Sequence, residues 1–255
     1  MYTRKPETDG PAEQGSARTH AMRAVMELRQ KVMSGELPGG MRLFEVPMAE
    51  QLQISRTPVR EAMSRLAEEG LLDRAPGGGF VVRTFSFADV IDAIELRGVL
   101  EGTAARLAAE RGVAPEALAR IRGILAELER CFGDRPGDVD FEAYAEGNEA
   151  FHNELAALSG SDVVRREVER VTRLPFASPS AFMPDRADIE AFRKSLNTAQ
   201  EQHRAMVAAI AGREGTRAEM IAREHARAAR RNLEYVMRED RSLMSRMPGL
   251  ALVVD

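Results

Sequence analysis

The chain has 255 residues, of which 44% are hydrophobic and 30% are charged, so it is long enough for two domains that each bury a core. Its single cysteine excludes an internal disulfide framework and a multi-thiolate metal site. No apolar run reaches the ~20 residues that span a bilayer, and the polar N-terminus lacks the apolar core of a signal peptide. We therefore expect a cytoplasmic protein with no membrane partner and a disordered tail at residues 1–16.

The net charge of −4 is divided unevenly along the chain. Residues 1–84 hold 12 Lys and Arg against 11 Asp and Glu, whereas residues 85–255 hold 24 against 29. Bulk charge therefore does not predict nucleic-acid binding. Any such prediction depends on where individual arginines lie.

The first predicted element is an amphipathic helix over residues 17–33, in which apolar residues recur at spacings of three and four. A shorter helix follows from Pro47 to Leu52, and another begins after Ser55, whose hydroxyl suits the N-cap of a helix. Gly70 ends this third helix. Gln53 and Ile54 form the turn between the second helix and the N-cap of the third, and two helices joined by so short a turn are typical of a helix-turn-helix.

A small β-wing follows the third helix. Apolar residues at 71–72 and 80–82 flank a Pro-Gly-Gly-Gly turn, a pattern that predicts two short antiparallel strands. With the preceding helices, the strands predict a winged helix-turn-helix domain over residues 17–84.

From residue 85 onward the sequence carries helix signals and no strand signals. Long helices joined by short loops predict an all-α antiparallel bundle over residues 85–240, followed by a C-terminal tail at 241–255. The expected fold class is therefore mainly α, with two domains. The predicted bundle helices cover residues 86–111, 115–132, 141–159, 162–174, 188–212 and 215–238, with loops at 133–138 and 175–186.

The third helix begins with polar and basic residues on the face opposite its apolar residues. Arg donates to both acceptors of guanine, so Arg56 and Arg60 are the expected base readers, while Ser55 and Thr57 suit phosphate contacts. Arg65 lies farther along the same helix. A solvated face with salt-bridged arginines is the alternative, but it explains neither the preceding helix and turn nor the wing.

At this point the sequence resembles a known family of bacterial regulators, the GntR family, which carries a Ser-Arg-Thr-Pro-Val-Arg-Glu-Ala helix, then Glu-Gly-Leu and a Gly-rich wing. The resemblance implies that Arg56, Thr57 and Arg60 contact double-stranded operator DNA, with Gly77 or Gly78 at the wing tip. The residues that carry it are ISRTPVREAMSRLAEEGLLDRAPGGGFVV.

One position departs from the family pattern. Many members carry an Arg in the helix before the turn, where this chain has Val46. The corresponding DNA contact is therefore either missing or supplied by Arg42.

Three of the four histidines lie on predicted helices of the C-terminal domain: His152, His203 and His225. Asn148 precedes His152 by four residues, so both project from one side of a helix. Imidazole and oxygen ligands on facing helices suit a divalent metal ion such as Zn²⁺, Ni²⁺ or Mn²⁺. A lone histidine is more often a half-buried polar residue than a ligand, so spacing alone leaves both interpretations open.

The C-terminal half is similar to the helical effector-binding domain, called FCD, of the FadR-like branch of this family. The stretches FHNELAALSGS, EQHRAMVAAI and REHARAARRNL carry the likeness. It implies that Asn148, His152, His203 and His225 hold a divalent metal ion. Asn148 stands where most metal-binding members have Asp, and a neutral amide oxygen is a weaker ligand.

Arg97 matches a position where such domains often place an Arg toward the cavity. A guanidinium there would pair with a carboxylate effector at two points. The alternative is a surface arginine that bridges to Glu101 one turn away. The stretches YAEGNEAFH and LPFASPSAF also resemble the branch that includes repressors of vanillate catabolism, which makes an aromatic acid a candidate effector.

These features predict a ligand-responsive transcriptional repressor that binds a palindromic operator as a homodimer and is released by a small organic acid. One alternative is a regulator in which the metal ion is itself the signal. A metallohydrolase with a DNA-binding module is the other, but no His-Glu-x-x-His pair or general base accompanies the histidines. We therefore expect a protein that is not an enzyme.

Overall fold

The computed structural model describes residues 11–133, 139–174, 177–180, 190–238 and 249–254, with side chains from residue 20 onward except 190–193 and 238. The chain divides into two compact units, Met1–Thr84 and Phe85–Asp255. No helix among the described residues is long and apolar enough to cross a membrane. Several predicted segments lie outside the described residues: 1–10 of the predicted tail at 1–16, 134–138 of the loop at 133–138, most of the loop at 175–186, and 241–248 of the tail at 241–255.

Unit 1 has the predicted order of helices and wing. Helix α1 (Pro11–Met33) packs against α3, and its described start precedes the predicted one, so it enters the region expected to be a tail. Helices α2 (Glu45–Leu52) and α3 (Arg56–Glu68) form the helix-turn-helix. Left-handed Gln53, with φ of 53°, ends α2 and turns the chain toward α3.

The wing is a three-stranded antiparallel sheet in the order β1-β3-β2. The two predicted strands are β2 (Leu72–Arg74) and β3 (Phe80–Val82), and β1 (Arg42–Leu43) pairs with the outer edge of β3. Sequence analysis did not predict β1, because two residues are too few to show the alternation of a strand. Strand β1 places Arg42 beside the wing.

Unit 2 is a helical bundle, which confirms the predicted fold class. Each helix lies within about two residues of its predicted bounds. The described helices are α4 (Phe87–Arg111), α5 (Pro115–Arg130), α6 (Phe141–Leu158), α7 (Asp162–Thr172), α8 (Glu190–Ala211) and α9 (Gly215–Arg238).

The end of the chain differs from the predicted tail. A 3-10 turn (Leu250–Leu252) leads to β5 (Val253–Val254), which pairs in parallel with β4 (Phe85–Ser86). Leu250 and Leu252 are buried, and burying such side chains stabilises the pairing. The apolar run after Gly249 was the signal for this element.

Helix α4 runs through the bundle and packs most extensively against α9. Two glycines allow this close approach, because a Cβ on Gly98 would lie 2.8 Å from Cβ of Ala226, and one on Gly102 would lie 2.9 Å from Cγ of Arg223. The packing brings His225 of α9 toward the polar residues of α4. Two of the elements that build the site are therefore held together by backbone proximity.

Candidate DNA-binding and effector sites

The first turn of α3 presents a polar surface. Ser55, Arg56, Thr57 and Arg60 are exposed, while Pro58 and the apolar residues that follow are buried. Ser55 lies at the N-cap with extended backbone, but its side chain makes no capping hydrogen bond. Its hydroxyl is therefore available to another acceptor or donor, such as a phosphate oxygen.

The arginines of α3 differ in how firmly they are held. Arg65 lies 3.3 Å from Glu69, a buried carboxylate that Arg29 of α1 also contacts. Arg56 Nη2 is 3.7 Å from Glu45 Oε2, too far for a hydrogen bond, and its side chain is 67% exposed. Arg60 has no ion-pair partner among the described residues. Arg56 and Arg60 are therefore available for DNA, whereas Arg65 is partly engaged within the fold.

The wing tip is formed by glycines in left-handed conformations. Gly77 and Gly78 have φ of 84° and 98° and are exposed. Arg42 donates from Nη2 to the carbonyl oxygen of Pro76 at 2.7 Å. Val46 is 45% exposed on α2, so a cationic contact near this surface can come from Arg42, which the turn holds at the wing.

Three histidines from three helices of unit 2 converge in the buried interior: His152 of α6, His203 of α8 and His225 of α9. Nε2 of His225 lies 3.2 Å from Nε2 of His152 and 3.2 Å from Nε2 of His203. The buried Phe151 ring packs against His203, with centroids 4.1 Å apart. The sequence prediction of converging histidines is thus matched by their placement in the structure.

The other ring nitrogen of each histidine faces an oxygen. Nδ1 of His152 is 2.8 Å from Glu101 Oε1. Nδ1 of His203 is 3.2 Å from the side-chain oxygen of Gln200, and Nδ1 of His225 is 3.2 Å from that of Gln202. These oxygens are acceptors, so each neutral ring carries its proton on Nδ1. The three Nε2 atoms then present lone pairs to one another.

Three facing lone pairs repel unless a cation or a proton donor lies between them, so this donor set fits a divalent metal ion. With metal–nitrogen bonds of about 2.0–2.1 Å, ligand nitrogens are separated by about 3.3–3.4 Å in a tetrahedron and about 2.9–3.0 Å in an octahedron. The 3.2 Å separations lie between these values. Oxygen partners on the second nitrogen are typical of metal-binding histidines.

Burial in the histidine cluster lowers the pKa of two of the three rings, which favours binding of a cation. Burial lowers the pKa of His203 well below its usual value, and the neighbouring histidines lower it further. Burial and, to a smaller extent, the proximity of His152 lower the pKa of His225 to about 3. Both rings are therefore neutral at pH 7 and able to donate their lone pairs.

Asn148 lies one turn before His152 on α6 and is buried. Its Nδ2 donates to Ser180 Oγ at 3.3 Å, and Ser180 Oγ in turn donates to the carbonyl oxygen of Ala145 at 3.1 Å. Because the Ser180 hydroxyl donates its proton to Ala145, it can only accept a hydrogen bond from Asn148, so the NH₂ group of the Asn148 side chain must face Ser180. The oxygen is the atom of Asn148 that remains for a metal ion.

Arg97 is buried rather than at the surface, and it nevertheless faces Glu101, as the alternative interpretation expected. Its Nε lies 3.6 Å from Glu101 Oε2, and its Nη1 donates to the carbonyl oxygen of Ala177 at 3.0 Å. Among the described residues, neither Nε of Arg97 nor Oε2 of Glu101 has a hydrogen-bond partner. An unsatisfied buried cation and anion of this kind often mark a functional site.

Glu101 is the residue that sequence analysis underrated. Burial by itself raises its pKa, but attraction to His152 and Arg97 outweighs burial and holds the pKa at about 2. It therefore stays ionised and joins the arginine to the histidine cluster. The available signal was a charged pair at i and i+4 within a helix whose neighbouring residues are apolar.

A cavity of about 210 Å³ reaches the cluster at His152. Helices α6 and α7 and the segment 177–180 form its walls. Its polar lining includes one cation, two carboxylates, an amide and two hydroxyls: Arg173, Glu149, Glu169, Asn153, Thr172 and Ser178. Its volume suits a small organic molecule beside the histidines.

Comparison with known proteins agrees with this architecture. The profile of the bacterial regulatory proteins of the gntR family matches residues 21–82, and the profile of the FCD domain matches residues 92–228. The solved structure of E. coli McbR/YncC superposes with a TM-score of 0.62 at 22% identity, covering 86% of this chain and 98% of that one. This structural likeness shows that the fold is shared.

Two relatives in sequence are transcriptional regulators. The Nta operon transcriptional regulator of Aminobacter aminovorans is 36% identical over 139 residues, which cover 54% of this chain and 63% of that protein. An HTH-type transcriptional regulator of Agrobacterium vitis, from the TAR-I ttuE-ttuC′ intergenic region, is 35% identical over 163 residues, 62% of this chain and 91% of that protein. The chain therefore belongs to the GntR family of bacterial regulatory proteins and carries an FCD domain.

Proposed function

We propose that this protein is a cytoplasmic, ligand-released repressor that binds a palindromic operator as a homodimer. The observation that carries the proposal is the buried arrangement of Arg97, Glu101 and three convergent histidines beside a cavity in unit 2. A buried cation beside a metal-binding donor set suits a small carboxylate effector. The exposed arginines of α3 supply the DNA-binding half of the switch.

Operator recognition is proposed to depend on Arg56 and Arg60, with Ser55 and Thr57 on phosphates, Arg65 farther along the groove, and Gly77 and Gly78 letting the wing backbone approach DNA. A dimer would place two α3 helices in successive major grooves. The two arginines are the residues to test because they are exposed and have no hydrogen bond to any part of the chain that the structure describes.

The DNA experiment measures operator affinity by fluorescence anisotropy for Arg56→Ala and Arg60→Ala. A base contact contributes about 1–3 kcal/mol, so each variant should bind the operator about 5-fold to 150-fold more weakly. Arg23→Ala is the matched control, since Arg23 is an exposed arginine of the same unit that pairs with Glu27 on α1. Wild-type affinity in both α3 variants would contradict the proposed recognition surface.

In unit 2, His152, His203, His225 and the oxygen of Asn148 would hold a divalent ion, with Zn²⁺, Ni²⁺ and Mn²⁺ as candidates. Such an ion supplies a positive charge that polarises and binds an oxygen of the effector. Arg97 supplies the second positive group, and its burial keeps bulk water away from the guanidinium. An organic acid, including an aromatic one, is therefore the proposed effector class.

The effector experiment titrates small organic acids against the protein–operator complex, with and without a chelator. Release by an acid, lost in His203→Ala, would support the proposal. A regulator in which the ion is itself the signal would respond to chelation alone and to no acid. A metallohydrolase is not favoured, because the family and the relatives described above are transcriptional regulators.

A further inference from the structure

The segment 177–180, which lies between α7 and α8 in the chain, is tied to the site from two helices. Arg97 of α4 donates to the carbonyl oxygen of Ala177, and Asn148 of α6 donates to the hydroxyl of Ser180. These two side chains are the proposed effector ligand and one of the proposed metal ligands. Pro179 and its neighbour Ser178 also line the cavity that reaches His152. The segment therefore contacts the ligand-binding groups and the cavity at once.

The guanidinium of Arg97 offers two edges to a carboxylate, and both are constrained. The side-on edge contains Nε, which faces the carboxylate of Glu101 at 3.6 Å, so an anion there would meet a like charge. The end-on edge contains Nη1, which already donates to Ala177 at 3.0 Å. Nη1 carries two N–H groups, so a bidentate effector carboxylate on this edge would place a negative oxygen beside the Ala177 carbonyl oxygen on the same nitrogen, and the two acceptors would repel each other.

We infer that Ala177 occupies the effector's place on Arg97, so that binding of an effector carboxylate frees the segment 177–180 from the site. This inference rests on the proposed function, since it needs the effector to be an acid. The main-chain carbonyl is a neutral acceptor, and a carboxylate forms a stronger, charge-assisted bond with the same donor. When the effector carboxylate replaces the Ala177 carbonyl as the acceptor of the Arg97 hydrogen bond, the segment 177–180, which forms one wall of the cavity, loses a contact.

The test is amide hydrogen exchange of the full chain, read on peptides that cover residues 177–180. In the wild type, the amide of Ala177 bonds to Leu174 and that of Ser180 to the hydroxyl of Ser178, so loosening of the segment is visible at these amides. Acetate, benzoate and succinate at millimolar concentrations serve as probes. At least one should raise exchange across 177–180 by about 10-fold or more, the effect of losing one hydrogen bond to a charged group.

The variant Arg97→Lys tests the same contact in the absence of any added acid. A lysine keeps the buried positive charge beside Glu101 but lacks the planar fork that also reaches Ala177. It should raise exchange across 177–180 before any acid is added and abolish the response to acids. Arg111→Lys is the matched control, because Arg111 donates to the carbonyl oxygen of Ser159 at 2.9 Å in the same unit. This control should leave exchange across 177–180 unchanged.

Operator release is measured on the same samples, so the two ideas fail separately. If an acid releases the operator and exchange across 177–180 does not rise, the inference is overturned and the proposed function stands. If no acid releases the operator but exchange rises, the displacement holds and the proposed repression fails. Unchanged exchange in Arg97→Lys would also overturn the inference, because the tie from Arg97 to Ala177 would then hold nothing in place.

Discussion

Replacement of Glu101 by glutamine tests how the effector site is held together. The change keeps the shape of the side chain but removes the charge that faces Arg97 at 3.6 Å. At an effective dielectric constant of 20, that separation corresponds to about 4–5 kcal/mol. Loss of one partner from a buried pair typically costs about 3–5 kcal/mol. We therefore expect Glu101→Gln to lower the free energy of unfolding by about 3–5 kcal/mol at pH 7.

The assay is urea unfolding followed by far-UV circular dichroism, in the presence of EDTA so that no metal contributes. Glu110→Gln is the matched control, because Glu110 pairs with Arg106 at the same spacing on the same helix, where both side chains are substantially exposed. An exposed pair of this kind contributes about 0.2–1 kcal/mol. Equal losses in the two variants would refute the claim that the buried pair stabilises the site.

The pH dependence of the same comparison supplies a second check. The pKa of Glu101 is held at about 2, below its usual value near 4.5, so its contribution is fully present above pH 4.5 and disappears as the pH falls through 2. The stability difference between wild type and Glu101→Gln should therefore narrow only below about pH 4.5. A difference that vanishes at pH 6 would show that some other group is responsible.

Three further expectations follow from the bundle. Asn148→Asp should bind Zn²⁺ about 10-fold or more tightly in calorimetry, because a carboxylate replaces a neutral amide ligand, and unchanged affinity would exclude this residue from the metal site. The metal-free protein should lose stability as the pH falls from 6.5 toward 3, by roughly 1.4 kcal/mol per pH unit for His225, whose pKa is lowered to about 3 in the folded state. His203, whose pKa is also lowered by burial, should add to this loss below pH 6.5; a flat profile there would contradict the burial of these rings in neutral form. Gly98→Ala should destabilise the protein by about 1–3 kcal/mol, since its Cβ would lie 2.8 Å from a side-chain atom of α9. Gly123→Ala should be neutral or stabilising, because a Cβ there would meet no atom of the described residues within 4 Å beyond its own helix backbone.

The sequence predicted the helices and the order of domains well because both have long-period signals. Helices of 11 residues or more repeat their apolar pattern several times, so their bounds in unit 2 were predicted within about two residues. Strands β1 and β5 contain two residues each, which is too short for any periodicity to appear. They form because a partner strand is nearby in space, and that proximity is not encoded locally.

The residues of the candidate site also differ in whether the local sequence could predict their positions. Asn148 and His152 could be paired from their spacing on one helix, but the position of Glu101 between Arg97 and His152 depends on how α4 packs against α6 and α9. Sequence spacing allowed Arg97 to be a surface residue, and only packing makes it buried. The tie between Arg97 and Ala177 joins residues 80 positions apart and has no signature in the chain.

The close packing of α4 against α9 has a consequence for the order in which the protein folds. In unit 1 the helices and wing form from residues that are near one another in sequence, and such contacts form quickly. In unit 2 the packing of α4 against α9 cannot form until α9 has been synthesised, and α9 follows α4 by more than 100 residues. During synthesis the DNA-reading unit can thus be complete before His225 has left the ribosome. In the newly made protein, the DNA-binding unit would thus form before the helical bundle that holds the candidate effector site.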